Sequence, residues 1–229
     1  ISSIAANTTM QYSFTTGADL SALSTYTIQA IVDLTNDSFR ENDTTTVTVI
    51  NSPVITTFPY LQNFEASNGY WYADGKNSSW QYGTPTSAKI NRAASGAKAW
   101  KTRLQGNYND LELSYLYSPC FNVVGMSNPT LSFSVALDLE DCVTSVCDGA
   151  WVEYSSDGVT WTKLGANGQG TNWYNVSSAQ LWSIQDYTRW HVATIPLPTG
   201  ASNLRLRFVM ASDPAVNREG IAIEDIHIY

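Results

Sequence analysis

Apolar residues in this chain recur at every second position and almost nowhere at every third or fourth. In "PTLSFSVALD", Leu131, Phe133, Val135 and Leu137 alternate with Ser132, Ser134 and Ala136. In "NLRLRFVMAS", Leu204, Leu206, Phe208 and Met210 alternate with Arg205 and Arg207. Successive strand residues point to opposite faces, so this spacing buries one face of a sheet and leaves the other wet. The chain is expected to be all-β. Only "SSAQLWSIQDY" has a helical look, worth a turn or two. "AWVEYSSDGVTWTKLG" reads as a hairpin in which Asp157-Gly158 favours a tight type I′ turn between strands carrying Trp151, Tyr154 and Trp161.

A chain of 229 residues that is 43% hydrophobic can bury a real core and is too apolar for disorder. Its formal net charge of −8, without any basic stripe, argues against nucleic acid and anionic membrane as partners. No run of about 18 apolar residues exists, so no membrane insertion is expected. The chain opens at "ISSIAANTTM" without a Met and reads as a piece of something longer.

A boundary falls near "VINSPVITTFPYLQNFE". Residues 1–52 are expected to hold strands in "MQYSFTTG", "STYTIQAIVDL" and "TTTVTVIN", too few for a complete immunoglobulin-like sandwich. They read as a partial immunoglobulin-like β-segment, followed by a linker at 53–56. Residues 57–229 have the size of a jelly-roll β-sandwich.

Three cysteines are present. Cys142 and Cys147 are close enough to close a small loop as a disulfide, which implies an oxidising, secreted or cell-surface location. The alternatives are two free thiols or part of a metal site, and zinc would need two further ligands. Cys120 is left as a small buried hydrophobe.

"FPYLQNFEASNGYW", "SGAKAWKT", "YLYSPCFN", "PTLSFSVALD", "DGAWVEYSSDGVTWTKLG" and "LRFVMASDPAVNREGIAIEDIHI" occur in the order of a MAM-like jelly roll. Residues 57–229 resemble the versions carried by secreted and cell-surface proteins of Bacteroidetes-type bacteria, including gliding adhesins and modular peptidases. "STYTIQAIVDLTND" and "RENDTTTVTV" resemble the end of a CARDB or fibronectin-type repeat. The resemblance implies an adhesion or interaction module of a large protein, with neighbouring domains of the same polypeptide as partners and type IX secretion and gliding motility as context.

The closing strand, "GIAIEDIHIY", changes phase at Glu224 and Asp225: Ile221 and Ile223 share one face, Ile226 and Ile228 the other. First and last strands of such sandwiches lie near each other, so Glu65 of "NFEAS" and the closing acids are expected to meet at one edge. Calcium takes oxygen ligands only. The resemblance implies Ca2+ held by Glu65 and Asp225; the family commonly shows Asp-Asp where this chain has Glu224-Asp225. The alternatives are a bulge that turns both acids to solvent, or pairing with Arg205 or Arg207. Asp138, Glu140, Asp141 and Asp148 form a second acidic cluster around the cysteines, readable as a cation site with Asp148 as its preferred member or as a solvated loop.

Loops rich in aromatics and amides suit glycans, because aromatic faces stack on sugar rings. "NGYWYADGKNSSWQYG" offers Trp71, Tyr72 and Trp80, and "GTNWYNVSSAQLW" offers Trp173 and Tyr174. Large aromatics also fill sandwich cores and clamp loops, and Trp100, Trp151, Trp161 and Trp190, in strands, read as core or face-packing residues. No G-x-S-x-G elbow, paired-carboxylate pattern or cysteine–histidine motif points to catalysis. The expected function is a non-catalytic extracellular adhesion module with structural calcium; the second reading is a carbohydrate-binding module that targets an attached hydrolase to polysaccharide.

Overall fold

The computed structural model describes residues 4–5, 7–142 and 145–229. It divides into two compact units, Ile1–Ser52 and Pro53–Tyr229. In the first unit Thr25–Ile31 (β1) and Thr44–Ile50 (β2) form an antiparallel ribbon, with Ile28 opposite Val47. "MQYSFTTG" is not a strand. Alternation alone does not make one, because each strand needs a neighbour to take its N–H and C=O groups.

The second unit contains Val54–Ile55 (β3), Tyr60–Gln62 (β4), Tyr72–Lys76 (β5), Trp80–Gly83 (β6), Ala99–Thr102 (β7), Leu113–Phe121 (β8), Thr130–Asp138 (β9), Gly149–Ser155 (β10), Thr162–Lys163 (β11), Tyr187–Pro196 (β12), Leu204–Ala211 (β13) and Gly220–Ile228 (β14). They build a β-sandwich. One sheet runs β11-β10-β13-β8-β3, with β5 also on β8; the other runs β12-β9-β14-β7-β6, with β4 also on β14. Residues 53–56, read as linker, contribute β3, which lies parallel to β8.

The alternating apolar residues of both sheets meet in one core, where the Phe133 and Phe208 rings touch edge to face at 4.9 Å. Burial of large apolar side chains at ~25 cal/mol per Å² is the main force holding the layers together. "SSAQLWSIQDY" gives a turn and short bridges, not helix. The Asp157-Gly158 hairpin is wider than expected: Tyr154 pairs with Thr162, and residues 155–161 form the loop. Asp157 shapes it by accepting from the Val159 and Thr160 amides at 2.8 and 2.7 Å, an Asx-type alternative to the two-residue turn.

The phase change in β14 is a β-bulge. Glu224 lies opposite Ser134 and His227 opposite Ser132, so β14 carries one extra residue there. Asp225, at φ 50°, absorbs it. Ile221, Ile223, Ile226 and Ile228 are consequently all buried in the core.

Candidate functional site

At one rim, β4 pairs with the end of β14, Gln62 opposite Ile226 and Tyr60 opposite Ile228. The segments carrying Glu65 and Glu224-Asp225 thus lie side by side. Both clasp the loop at residues 94–98. Glu65 Oε1 accepts the Ala97 and Lys98 amides at 2.9 and 2.7 Å, which hold its carboxyl below the ordinary range. Glu224 is fully buried. It accepts the Ala94 and Ser95 amides and the Ser95 hydroxyl. Burial still pushes its carboxyl up, with the Asp225 charge adding to the shift. Ser95 Oγ also lies 3.0 Å from Asp225 Oδ1, and Ser134 Oγ donates to Asp225 Oδ2 at 3.4 Å.

Gly96 makes this clasp possible. Its φ is +56°, and a Cβ there would fall 2.5 Å from Glu65 Cδ. The bulge does not turn both acids to solvent, since only Asp225 is partly exposed. Arg207 pairs with Glu153 and Arg205 with none of these acids. Among the described residues, Glu65, Glu224 and Asp225 have no ion pair within 4.0 Å, and Glu65 Oε2 accepts no hydrogen bond. The donors are all oxygen, which suits a hard cation, and the Lys98 ammonium, which donates to the Glu65 carbonyl at 2.9 Å, already offsets part of the local negative charge. The three carboxylates do not, however, gather ligand atoms within 4.8 Å of one another, as Glu140, Asp148 and Asp213 do.

Asp148 is fully buried where β10 begins. Tyr108 donates its hydroxyl to Asp148 Oδ2, and the Asp213 amide reaches Oδ1 at 2.8 Å. Burial pushes the Asp148 carboxyl up to about 6. Asp138 is taken by Lys89 Nζ and the Asp186 amide, and Asp141 is exposed. Cys142 and Cys147 are joined by a disulfide, with Cα atoms 5.8 Å apart; Cys120 is free and half-buried.

The aromatic residues expected to bind sugar are mostly in the core. Trp71, Trp80, Trp173 and Tyr174 are buried. Their polar atoms are largely spent inside: Trp173 Nε1 donates to Leu164 O and Tyr174 Oη to Leu164 O, at 3.0 and 2.9 Å. A side chain of that size fills the space between two sheets. Tyr72, one position from Trp71, points the other way.

Tyr72 belongs to a strip that the sequence reading missed. On the outer face of the sheet, β5, β8, β13 and β10 carry Tyr72, Tyr115, Tyr117, Arg205, Arg207, Trp151 and Glu153, all partly exposed. The Tyr72 and Tyr117 rings stack at 5.1 Å, Tyr115 lies 5.7 Å from Tyr117, and Trp161 from the hairpin loop lies 5.5 Å from Tyr117. The Arg207 guanidinium sits 4.2 and 4.1 Å from the Tyr115 and Trp161 ring centres and pairs with Glu153 at 2.5 Å. Arg205 lies over Tyr72 and Tyr117. Lys163 covers the Trp151 ring at 4.6 Å. The period-two pairs "SYLYS" and "LRLRF" were the signal, since Y-x-Y beside R-x-R places four such side chains on one wet face.

No protein-family model matches the chain. Over 169 residues, 73% of its length, the chain is 29% identical to Bacillopeptidase F of Bacillus subtilis (strain 168) and spans 10% of that protein. Similar solved structures include the K1 cleaved adhesin domain of Lys-gingipain from Porphyromonas gingivalis W83, with TM-score 0.44, 13% identity, and coverage of 76% of this chain and 98% of that one. Another is TmCBM61 in complex with beta-1,4-galactotriose, with TM-score 0.44, 11% identity, and coverage of 73% and 94%.

Proposed function

We propose that residues 53–229 form a non-catalytic extracellular interaction module that binds carbohydrate on the outer face of the β10-β13-β8-β5 sheet. The observation that carries this reading is the contiguous strip of Tyr72, Tyr115, Tyr117 and Trp161. These rings touch one another on a partly exposed sheet face, where the core gains nothing from them. Flat rings fixed by neighbours stack on the apolar faces of sugars at little entropic cost, and the Arg, Glu and Tyr polar atoms among them suit hydroxyls. The Cys142–Cys147 disulfide supports an oxidising, extracellular setting.

Affinity electrophoresis against a panel of soluble neutral and acidic polysaccharides tests the proposal. Retardation by at least one of them is expected. Tyr117→Ala is expected to weaken binding about tenfold, the loss of about 1.4 kcal/mol of stacking, with the melting temperature little changed. Absence of retardation across the panel, or a variant that binds as well as the parent, refutes it.

The rim at Glu65 and Asp225 is read as the calcium site of this module. Glu65 Oε2 and the Asp225 carboxylate supply spare oxygen lone pairs, and Glu224 holds the 94–98 loop beside them. Bound calcium adds to the positive charge that Lys98 brings there. A cation bound only to the native state stabilises by mass action, so calcium at about 100 times its Kd raises the melting temperature by about 5–10 °C for a unit of this size. Chelator is expected to remove that increment, calcium to restore it, and Glu65→Gln to behave like the chelated protein. An identical melting curve with and without chelator rejects the site.

A further inference from the structure

We infer that the glycan taken by the aromatic face carries carboxylates, and that Arg205 reads them; this rests on the carbohydrate reading above. The three cations that lie over these rings are not equivalent. Arg207 is neutralised by Glu153, whose Oε2 it meets through both Nε and Nη2 at 2.7 and 2.5 Å. Lys163 Nζ is drawn to the Ala179 carbonyl at 2.9 Å, at the far side of the strip. Arg205 has no carboxylate within 4.0 Å among the described residues. Besides Glu153, this face carries Asp74 of β5, which lies opposite Tyr115 of β8 and is exposed.

Arg205 is nonetheless held in place. Nε donates to the Ser118 carbonyl at 3.0 Å and Nη2 to the Tyr72 hydroxyl at 2.9 Å. Its guanidinium carbon lies 5.2 and 5.5 Å from the Tyr72 and Tyr117 ring centres. Two nitrogens are thus anchored, and Nη1 donates to nothing among the described residues. A guanidinium that is always charged, half-desolvated, immobilised and lacking an acid is a preorganised carboxylate receptor. The neighbouring rings give the stacking surface, so a sugar placed on Tyr72 or Tyr117 brings a ring-borne acid to Arg205. A chain of net charge −8 otherwise repels polyanions, which makes this local positive centre decisive for which polymer is accepted. Uronic acids carry a carboxylate directly on the pyranose ring, and a polyuronate repeats it.

The test uses polygalacturonate, its fully methyl-esterified form, alginate, and neutral galactan and xylan as probes, with the full chain. Affinity for at least one polyuronate is expected to be about tenfold or more above the methyl ester and the neutral polymers, and to fall with added salt. Arg205→Gln is expected to erase that preference while leaving weak binding to neutral polymer, and Arg205→Lys to restore part of it. Equal affinity for acid and ester by the parent protein refutes the carboxylate inference while leaving the glycan reading in place, whether or not the variants fold. Equal loss of acidic and neutral binding in Arg205→Gln also refutes it, since Arg205 then only supports Tyr72. No binding to any of the five polymers overturns both readings.

Discussion

Asp148 sits where no water reaches it, its two oxygens facing Tyr108 Oη and the Asp213 amide. Its carboxyl rises from 3.8 when unfolded to about 6 when folded. Between those values the native state holds a proton that the unfolded state has lost, so stability falls as pH rises through this window. The loss is about 2–3 kcal/mol at most. Asp148→Asn is expected to lack this falling arm, which urea unfolding of both proteins between pH 4 and pH 7 would measure. A parallel pH dependence of the two would refute the assignment. Trp71→Ala removes a fully buried ring from the core and is expected to cost about 3–5 kcal/mol, while Trp71→Phe folds and keeps its glycan affinity. The difference between Trp71 and Tyr72 was not legible in the sequence. Which of two adjacent aromatics faces inward depends on the pairing of Tyr72 with Tyr117 across β5 and β8, and a one-residue shift of register exchanges them.

The loop at residues 94–98 shows why the acids interrupt β14. Its amides have no strand partner; Glu65 and Glu224 supply acceptors instead, while Asp225 meets the Ser95 hydroxyl. The same device recurs where Glu112 accepts from the Ser79 amide and Glu219 from the Lys89 and Ile90 amides. Leaving the buried Ser79 and Ile90 amides unpaired costs about 1–3 kcal/mol each. Gly96→Ala forces a side chain into a left-handed backbone and against Glu65. A loss of about 1–3 kcal/mol is expected, together with a higher calcium requirement, read by thermal melts at graded calcium. Strands were the most legible elements, because period two survives in β8, β9 and β13. The phase slip in β14 announced an irregularity, but its cure by a bulge depended on β9 opposite, which no local pattern encodes. The Asp157-Gly158 loop was misjudged for a related reason: the Asp157 side chain satisfies amides that a tighter turn would have paired with backbone.

At the scale of the molecule, the two units differ in self-sufficiency. Residues 53–229 enclose a continuous two-sheet core, whereas β1 and β2 form an isolated ribbon with Ile28 and Val47 exposed. A lone two-stranded hairpin is marginal in water. Residues 53–229 produced alone are expected to give a dispersed amide NMR spectrum and the melting transition of the full chain. Residues 1–52 alone are expected to give a collapsed spectrum; a cooperative transition from them would contradict this. One further property follows from β4 lying antiparallel to β14 with Tyr60 beside Ile228. Both backbone connections leave that pair at the same corner. Tension applied between Pro59 and Tyr229 therefore falls on the outermost rung first and then on each in turn, like a zip being opened, so mechanical pulling is met by one hydrogen-bonded pair at a time.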